Sequence, residues 1–145
     1  MDVEERFICE QQQALYKYVQ ELGADVLEFS DRFLHSRFCN NSLDKPYSVD
    51  QFADIGDWID FLEMEGCSVA AEPFPESQVT AEEAAWLGYT YRQLHFATGL
   101  KGVELAEMVP AKRLVIAFPG LHTVDEEMAV EIIIRDFGLQ NREAQ

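Results

Sequence analysis

The sequence predicts an all-α protein, a compact bundle of about six short helices. Apolar residues recur at three- and four-residue steps along most segments, the spacing of one buried helical face. Several of these segments are preceded by a Ser or Thr with Glu or Gln three residues later, which is the capping-box signature of a helix start. No stretch gives a convincing sheet pattern, so three observations agree on the class.

Residues 80–99 carry the clearest pattern and are predicted to form the central helix on which the others pack. Thr80 and Glu83 stand at capping-box spacing. Gly99 is placed to adopt a positive φ and end the helix. The predicted buried stripe consists of Ala84, Leu87, Gly88, Tyr91, Leu94, His95 and Thr98.

Three further helices are predicted before the central one. The first covers residues 3–22 and is stopped by Gly23, and the second covers about 25–38. Residues 42–48 read as a loop. The third covers 49–65, opened by a capping box of Ser48 and Gln51 and closed by Gly66. Its apolar stripe is Phe52, Ile55, Ile59 and Leu62.

Trp58 and Phe61 lie outside that stripe, so the third helix is apolar on two sides. Either the helix is sandwiched between other elements, or it exposes an aromatic side chain to a partner. The sandwiched arrangement is favoured.

The domain prediction divides the chain near residues 66–79, where Pro73 and Pro75 favour an extended backbone. An acidic N-terminal helical lobe would span 1–66 and a linker 67–79. A C-terminal helical lobe would then span 80–138, followed by a frayed tail at 139–145.

After Gly99 the chain is expected to form a short helix that stops before Pro110. Residues 114–118 suit either a helix or a strand, because periodicity cannot decide over five residues. A last helix is predicted at 124–137, opened by a capping box of Thr123 and Glu126.

The net charge is the unusual feature of the composition: 27 acidic residues against 11 basic ones give −16. Residues 1–79 carry −12 of it and residues 80–145 carry −4. Between Lys45 and Arg92 there are ten acids and no Lys or Arg. A field of this sign repels phosphate backbones and attracts basic surfaces. The charge therefore predicts a basic protein partner and disfavours direct nucleic-acid binding.

The predicted partner-binding segment is 46–65, where acids would steer the partner and aromatic side chains would anchor it. Tyr47 is a further candidate anchor. The predicted partner-binding residues are Asp50, Asp54, Asp57, Trp58, Asp60, Phe61 and Glu63.

No catalytic, metal or cofactor motif is found, so a non-enzymatic protein without a cofactor is expected. The histidines, His35, His95 and His122, lie far apart and have no nucleophile beside them in sequence. An odd number of widely spaced cysteines (Cys9, Cys39 and Cys67) predicts free thiols in a reducing compartment. Without a signal peptide or an 18-residue apolar run, a soluble cytoplasmic protein without membrane contact is expected.

Two stretches carry a family resemblance. Residues 98–105 read TGLKGVEL, residues 121–125 read LHTVD, and Ile132 and Ile133 follow in the last helix. These motifs resemble a small, uncharacterised bacterial helical family whose genes are often paired with a candidate toxin gene. The N-terminal half, with Phe33, Pro46 and Tyr47 among its shared positions, is similar to other small proteins of such gene pairs. The resemblance implies an antitoxin-like protein that neutralises a partner by binding it.

Three alternatives stay open. The first is a nucleic-acid mimic that inhibits a nuclease or defence complex, as anti-restriction and anti-CRISPR proteins do. The second is a helix-turn-helix regulator that contacts phosphate through Lys112 and Arg113. The third is a hydrolase whose cleft unites residues far apart in sequence.

Overall fold

A computed structural model of the chain describes residues 2–43, 54–69 and 79–140. These ranges contain no strand, and the predicted all-α class is confirmed. A π-helical turn, Phe38–Ser42, follows the second α-helix, and a 3-10 turn, Leu121–Thr123, precedes the last one. The α-helices are α1 (Val3–Glu21), α2 (Val26–His35), α3 (Ile55–Met64), α4 (Ala81–Thr98), α5 (Gly102–Met108), α6 (Ala111–Ala117) and α7 (Glu126–Asp136).

Helix α4 is the central element, as predicted. Its capping box is complete: the Thr80 hydroxyl accepts from the Glu83 amide at 3.1 Å, and the Glu83 carboxylate accepts from the Thr80 amide at 3.0 Å. Gly99 adopts a φ of 77° and ends the helix. Eleven of the eighteen residues of α4 are buried, so the helix is enclosed on most sides. The predicted stripe is buried except for His95, which is half-buried.

Helix α1 packs along α4 with almost no space between the two backbones at Gly88. A Cβ atom at this position would lie 2.4 Å from the Gln12 carbonyl oxygen and 2.9 Å from Cγ of Tyr16. The Gln12 side-chain amide also donates to the Gly88 carbonyl at 2.9 Å. Glycine is therefore required for this helix pairing, because any side chain would push α1 away.

An aromatic cluster joins α1 to α2. The Tyr16 ring meets the Phe29 and Phe33 rings edge-on, with centroid distances of 5.6 and 5.8 Å. The Tyr16 hydroxyl and the Ser30 hydroxyl share a hydrogen bond of 2.9 Å. The buried phenol is thus satisfied within the core.

The described residues of the two predicted lobes share one core, while the division into lobes itself stays a prediction. Apolar side chains from α1, α2, α3, α4, α5, α6 and α7 belong to one continuous core cluster. Leu15 and Val19 of the predicted N-terminal lobe are fully buried, and α1 packs mainly on α4 of the predicted C-terminal lobe. Most of the predicted linker, residues 70–78, lies outside the described ranges.

Two helix boundaries in the N-terminal half differ from the prediction. Helix α2 ends at His35 rather than Phe38, because Ser36 is extended and its hydroxyl donates to the Phe33 carbonyl at 2.6 Å. Helix α3 begins at Ile55 rather than at residue 49, because Asp54 is extended and accepts from the Asp57 amide at 3.1 Å. The predicted Ser48 and Gln51 capping box lies outside the described residues.

Two more outcomes concern the C-terminal half. The open choice at residues 114–118 is settled as helix, since α6 continues to Ala117. The N-cap of α7 is Asp125, which accepts from the Glu127 and Met128 amides at 3.0 and 3.4 Å. The predicted capping box of Thr123 and Glu126 is therefore wrong: the Thr123 hydroxyl donates to the Gly120 carbonyl at 2.6 Å instead.

Candidate partner-binding site

Helix α3 has a buried side and an exposed side. Trp58 and Leu62 are buried, and Ile55 and Ile59 next to them are half-buried. The opposite half of the helix carries Asp57, Asp60, Phe61, Glu63 and Met64, which we call the acidic face of α3. Each of these positions lies three or four residues from another of them, so they share one side of the helix.

The charge around α3 sets it apart from the other described segments. Residues 54–69 contain five acids and no Lys or Arg. By comparison, residues 2–43 hold eight acids and four bases, and residues 79–140 hold nine acids and five bases. The carboxylates of Asp57 and Asp60 form no ion pair with the described part of the chain.

The structure removes Trp58 from the predicted partner-binding residues. Its side chain is 1% exposed, and its ring packs edge-on against Phe38 with a centroid distance of 5.3 Å. A buried indole stabilises the core and cannot contact a partner. Phe61, in contrast, is 43% exposed while stacking on Phe38 at 6.1 Å. Trp58 therefore fits the sandwiched alternative, and Phe61 fits the alternative in which an aromatic side chain is exposed.

Two predicted carboxylates have structural bonds. Asp54 is the N-cap of α3, and Glu63 accepts from the Val69 amide at 3.3 Å. Glu63 is nevertheless exposed and stays on the acidic face. Asp50 and the candidate anchor Tyr47 lie outside the described residues.

Sequence reasoning missed Met64, which is 81% exposed beside Phe61. The sequence does indicate this position, because Met64 lies seven residues after Asp57 and three after Phe61, on the same side of the helix. A shallow depression of about 360 Å³ lies next to these two apolar side chains and is also lined by Arg37, Asn41 and Glu65. The Glu65 carboxylate accepts from the Arg37 and Phe38 amides, both at 2.9 Å, so it fixes the end of α3 against the π-helical turn.

A larger concavity, of about 1150 Å³, lies between α1, α4 and the start of α7. We call it the α1–α4–α7 cleft. Arg6 and Glu10 contribute from α1, Trp86 and Tyr89 from α4, and Glu126 from α7. The cleft was not predicted, because its walls come from three segments far apart in sequence.

The buried guanidinium of Arg92 has partners within the core. Arg92 is 3% exposed, and its guanidinium donates to the Gln12 side-chain oxygen at 3.1 Å and to the Cys39 sulfur at 3.2 Å. Burial raises the pKa of the Cys9 thiol to about 12, which keeps it protonated and unreactive at neutral pH. The three cysteines are free and buried.

Two observations bear on metal binding and phosphate contact. They contain no group of three or more His, Cys, Asp or Glu arranged to hold a metal ion. The Arg113 guanidinium lies over the Phe137 ring at 4.7 Å, so one of the two bases considered for phosphate contact is engaged within the fold. None of the helices in the described ranges is long and apolar enough to cross a bilayer.

Comparison of the chain with protein-family models, curated proteins and solved structures found no match. The resemblance to the bacterial helical family therefore stays a prediction from the quoted motifs.

Proposed function

We propose that this protein is a non-enzymatic binding module that neutralises a partner protein by covering a basic surface on it, in the manner of an antitoxin. One observation carries the proposal. The exposed half of α3 places three carboxylates around two exposed apolar side chains, Phe61 and Met64, in a segment without a single base.

This arrangement has the anatomy of a protein interface. Apolar side chains at the centre of a contact supply most of the binding energy, while charges at its rim govern the rate and specificity of association. Met64 and Phe61 are the candidate central contacts. Asp57, Asp60 and Glu63 would attract a basic partner, and their effect should weaken as added salt screens them.

The motif resemblance favours a toxin as the partner. A nucleic-acid mimic has less support, because such a protein needs carboxylates in a row that follows the spacing of phosphates. Helix α3 has ten residues and is only about 15 Å long at 1.5 Å per residue. Its three carboxylates are also interrupted by Phe61 and Met64.

The test compares two variants with the same net charge. The face variant carries Asp57→Asn, Asp60→Asn and Glu63→Gln. The control variant carries Glu21→Gln, Glu107→Gln and Glu131→Gln, three exposed acids on other helices. Both variants and the wild-type protein are immobilised to capture proteins from the native host, and association rates of the captured partner are measured at 20 and 300 mM NaCl.

The expected partner is a basic protein that the wild type and the control variant retain and the face variant loses. Its association rate with the wild type should fall at least tenfold between the two salt concentrations. A Met64→Ser variant should speed dissociation without changing the fold, since Met64 is mostly exposed. Equal retention by the face and control variants, or a rate independent of salt, would refute the proposal. Competition by duplex DNA for the same partner site would favour the mimic instead.

A further inference from the structure

The α1–α4–α7 cleft has the dimensions of a site for a chain segment. Its volume of about 1150 Å³ lies above the range of roughly 300–1,000 Å³ common for small-molecule pockets. Helix α1 forms one wall with Arg6, Glu10 and Lys17, and α4 forms the floor with Trp86 and Tyr89. The start of α7 closes the third side.

Two residues that line this cleft each carry a buried hydrogen-bonding group with no partner within the described part of the chain. The groups are the hydroxyl of Tyr89 and the indole N–H of Trp86, and both atoms are buried. Tyr89 as a whole is 8% exposed. A buried group of this kind destabilises the fold, so an unpaired pair of them on residues that line one cleft needs an explanation. Both groups can donate, which means that the complementary ligand supplies acceptors.

The ionisation state of Tyr89 agrees with a donor role. Burial raises the pKa of its hydroxyl to about 12, and the nearby charge of Glu126 acts in the same direction. The phenol is therefore protonated at neutral pH.

The charges around the cleft indicate which charge the ligand should carry. Among the described residues, five carboxylates and two permanent cations, Arg6 and Lys17, line it. Arg6 already lies 3.7 Å from the Glu126 carboxylate. The cleft thus has an excess of negative charge that a cationic ligand would neutralise. The carboxylates belong to Glu10, Glu82, Asp125, Glu126 and Glu127.

We propose that the α1–α4–α7 cleft binds a basic peptide segment of a partner protein. Backbone carbonyls of the peptide would accept from Tyr89 and Trp86, and its Lys or Arg side chains would lie against the carboxylates of the rim. A polyamine would supply the positive charge but no hydrogen-bond acceptors. A basic peptide supplies acceptors for the two unpaired donors as well as positive charge for the carboxylates. The proposal does not depend on the acidic face of α3, and the two surfaces can be tested separately.

Fluorescence anisotropy with the full-length protein tests this assignment. The probes are two pools of fluorescein-labelled, capped decapeptides built from Ala, Ser, Gly and Leu, one with three Arg per peptide and one with three Glu. We expect the Arg pool to bind and the Glu pool not to bind. Spermidine at the same total charge should displace the Arg pool only in part. Equal binding of both pools, or complete displacement by spermidine, would overturn the proposal.

The decisive variant is Tyr89→Phe, which removes only the unpaired hydroxyl. It should raise the thermal midpoint of the free protein, because a buried unsatisfied group is lost. It should also weaken binding of the Arg pool about fivefold to tenfold, the worth of one hydrogen bond. Higher stability with unchanged binding would overturn the proposal, since the hydroxyl would then be only a defect of packing.

Charge variants complete the test and separate it from the proposed function. Glu10→Gln combined with Glu127→Gln should weaken binding of the Arg pool and reduce its salt dependence. Asp60→Asn combined with Glu63→Gln changes the net charge equally but lies on the acidic face of α3, and it should leave this binding unchanged. Equal loss in both double variants would mean that the peptides respond to net charge and not to the cleft.

Discussion

At the scale of single residues, the pairing of α1 with α4 depends on the missing side chain of Gly88. A Gly88→Ala variant gains helix propensity worth about 1 kcal/mol, but its Cβ would meet the Gln12 carbonyl oxygen at 2.4 Å. Because that atom belongs to the backbone of another helix, the contact can be relieved only by moving α1. We expect a net loss of about 1–3 kcal/mol in the free energy of unfolding, measured by urea denaturation.

Gly56→Ala is the matched control, because Gly56 lies on the exposed side of α3. Its Cβ would meet only the end of the Asp54 side chain, at 3.0 Å. The free energy of unfolding should stay unchanged or rise by up to about 1 kcal/mol, because alanine has the higher helix propensity. Similar losses in both variants would show that helix separation at Gly88 is not critical.

The buried thiol of Cys9 should make stability depend on alkaline pH. Its pKa rises from 9.0 to about 12 on folding, because burial disfavours the thiolate. The protonated thiol is thus favoured by the folded state. Its contribution is fully present below pH 9 and is lost as the pH rises toward 12, since the unfolded chain releases the proton first.

A Cys9→Ala variant isolates this effect. Between pH 8 and pH 10 the free energy of unfolding of the wild type should fall by about 1.4 kcal/mol more than that of the variant. The comparison uses the change with pH, so any constant cost of removing the sulfur cancels. Parallel pH curves for the two proteins would contradict the assigned burial of Cys9.

At the scale of elements, the start of α7 gives a direct test of which residue caps the helix. Asp125→Ala should lower the free energy of unfolding by about 1 kcal/mol, because two amides of the first turn lose their acceptor. Asp125→Ser should restore most of the loss. Thr123→Ala removes only a turn bond to Gly120 at an exposed position and should cost less than about 0.5 kcal/mol. The reverse order would support the capping box predicted from sequence.

The sequence predicted which segments are helical better than it predicted where each helix begins and ends. A buried stripe is repeated over several turns, so the pattern of α4 stands out even without its neighbours. Capping residues occur close together in this chain, however. Thr123 and Asp125 both precede α7, and Ser48 and Asp54 both precede α3. Local spacing cannot choose between such pairs, because the choice depends on where the chain must enter the core.

The candidate site was predictable in part for the same reason. Spacing placed Asp57, Asp60 and Phe61 on a side of α3 away from the apolar stripe. It could not tell that the core extends far enough round the helix to enclose Trp58, since that depends on Phe38 of a different element. The cleft around Tyr89 escaped prediction altogether, because α1, α4 and α7 meet there only after folding.

At the scale of the whole molecule, the continuous core explains why the chain should fold as one unit. Leu15, Tyr16 and Val19 of α1 are fully buried. Their main neighbour, α4, begins sixty residues after the end of α1. A fragment that ends before α4 would expose this stripe to water at about 25 cal/mol per Å² of apolar surface. Short helices without such packing are marginal in water.

We therefore predict that fragments 1–69 and 79–145 do not fold separately. Far-UV circular dichroism of each should show much less helix than the intact protein, without a cooperative urea transition. Mixing the two fragments should recover part of the helical signal, because α1 and α4 can then pair. A Gly88→Ala substitution in the second fragment should abolish this recovery, since it blocks the close contact with Gln12. A cooperative transition in fragment 1–69 alone would instead support the two-lobe organisation predicted from composition and charge.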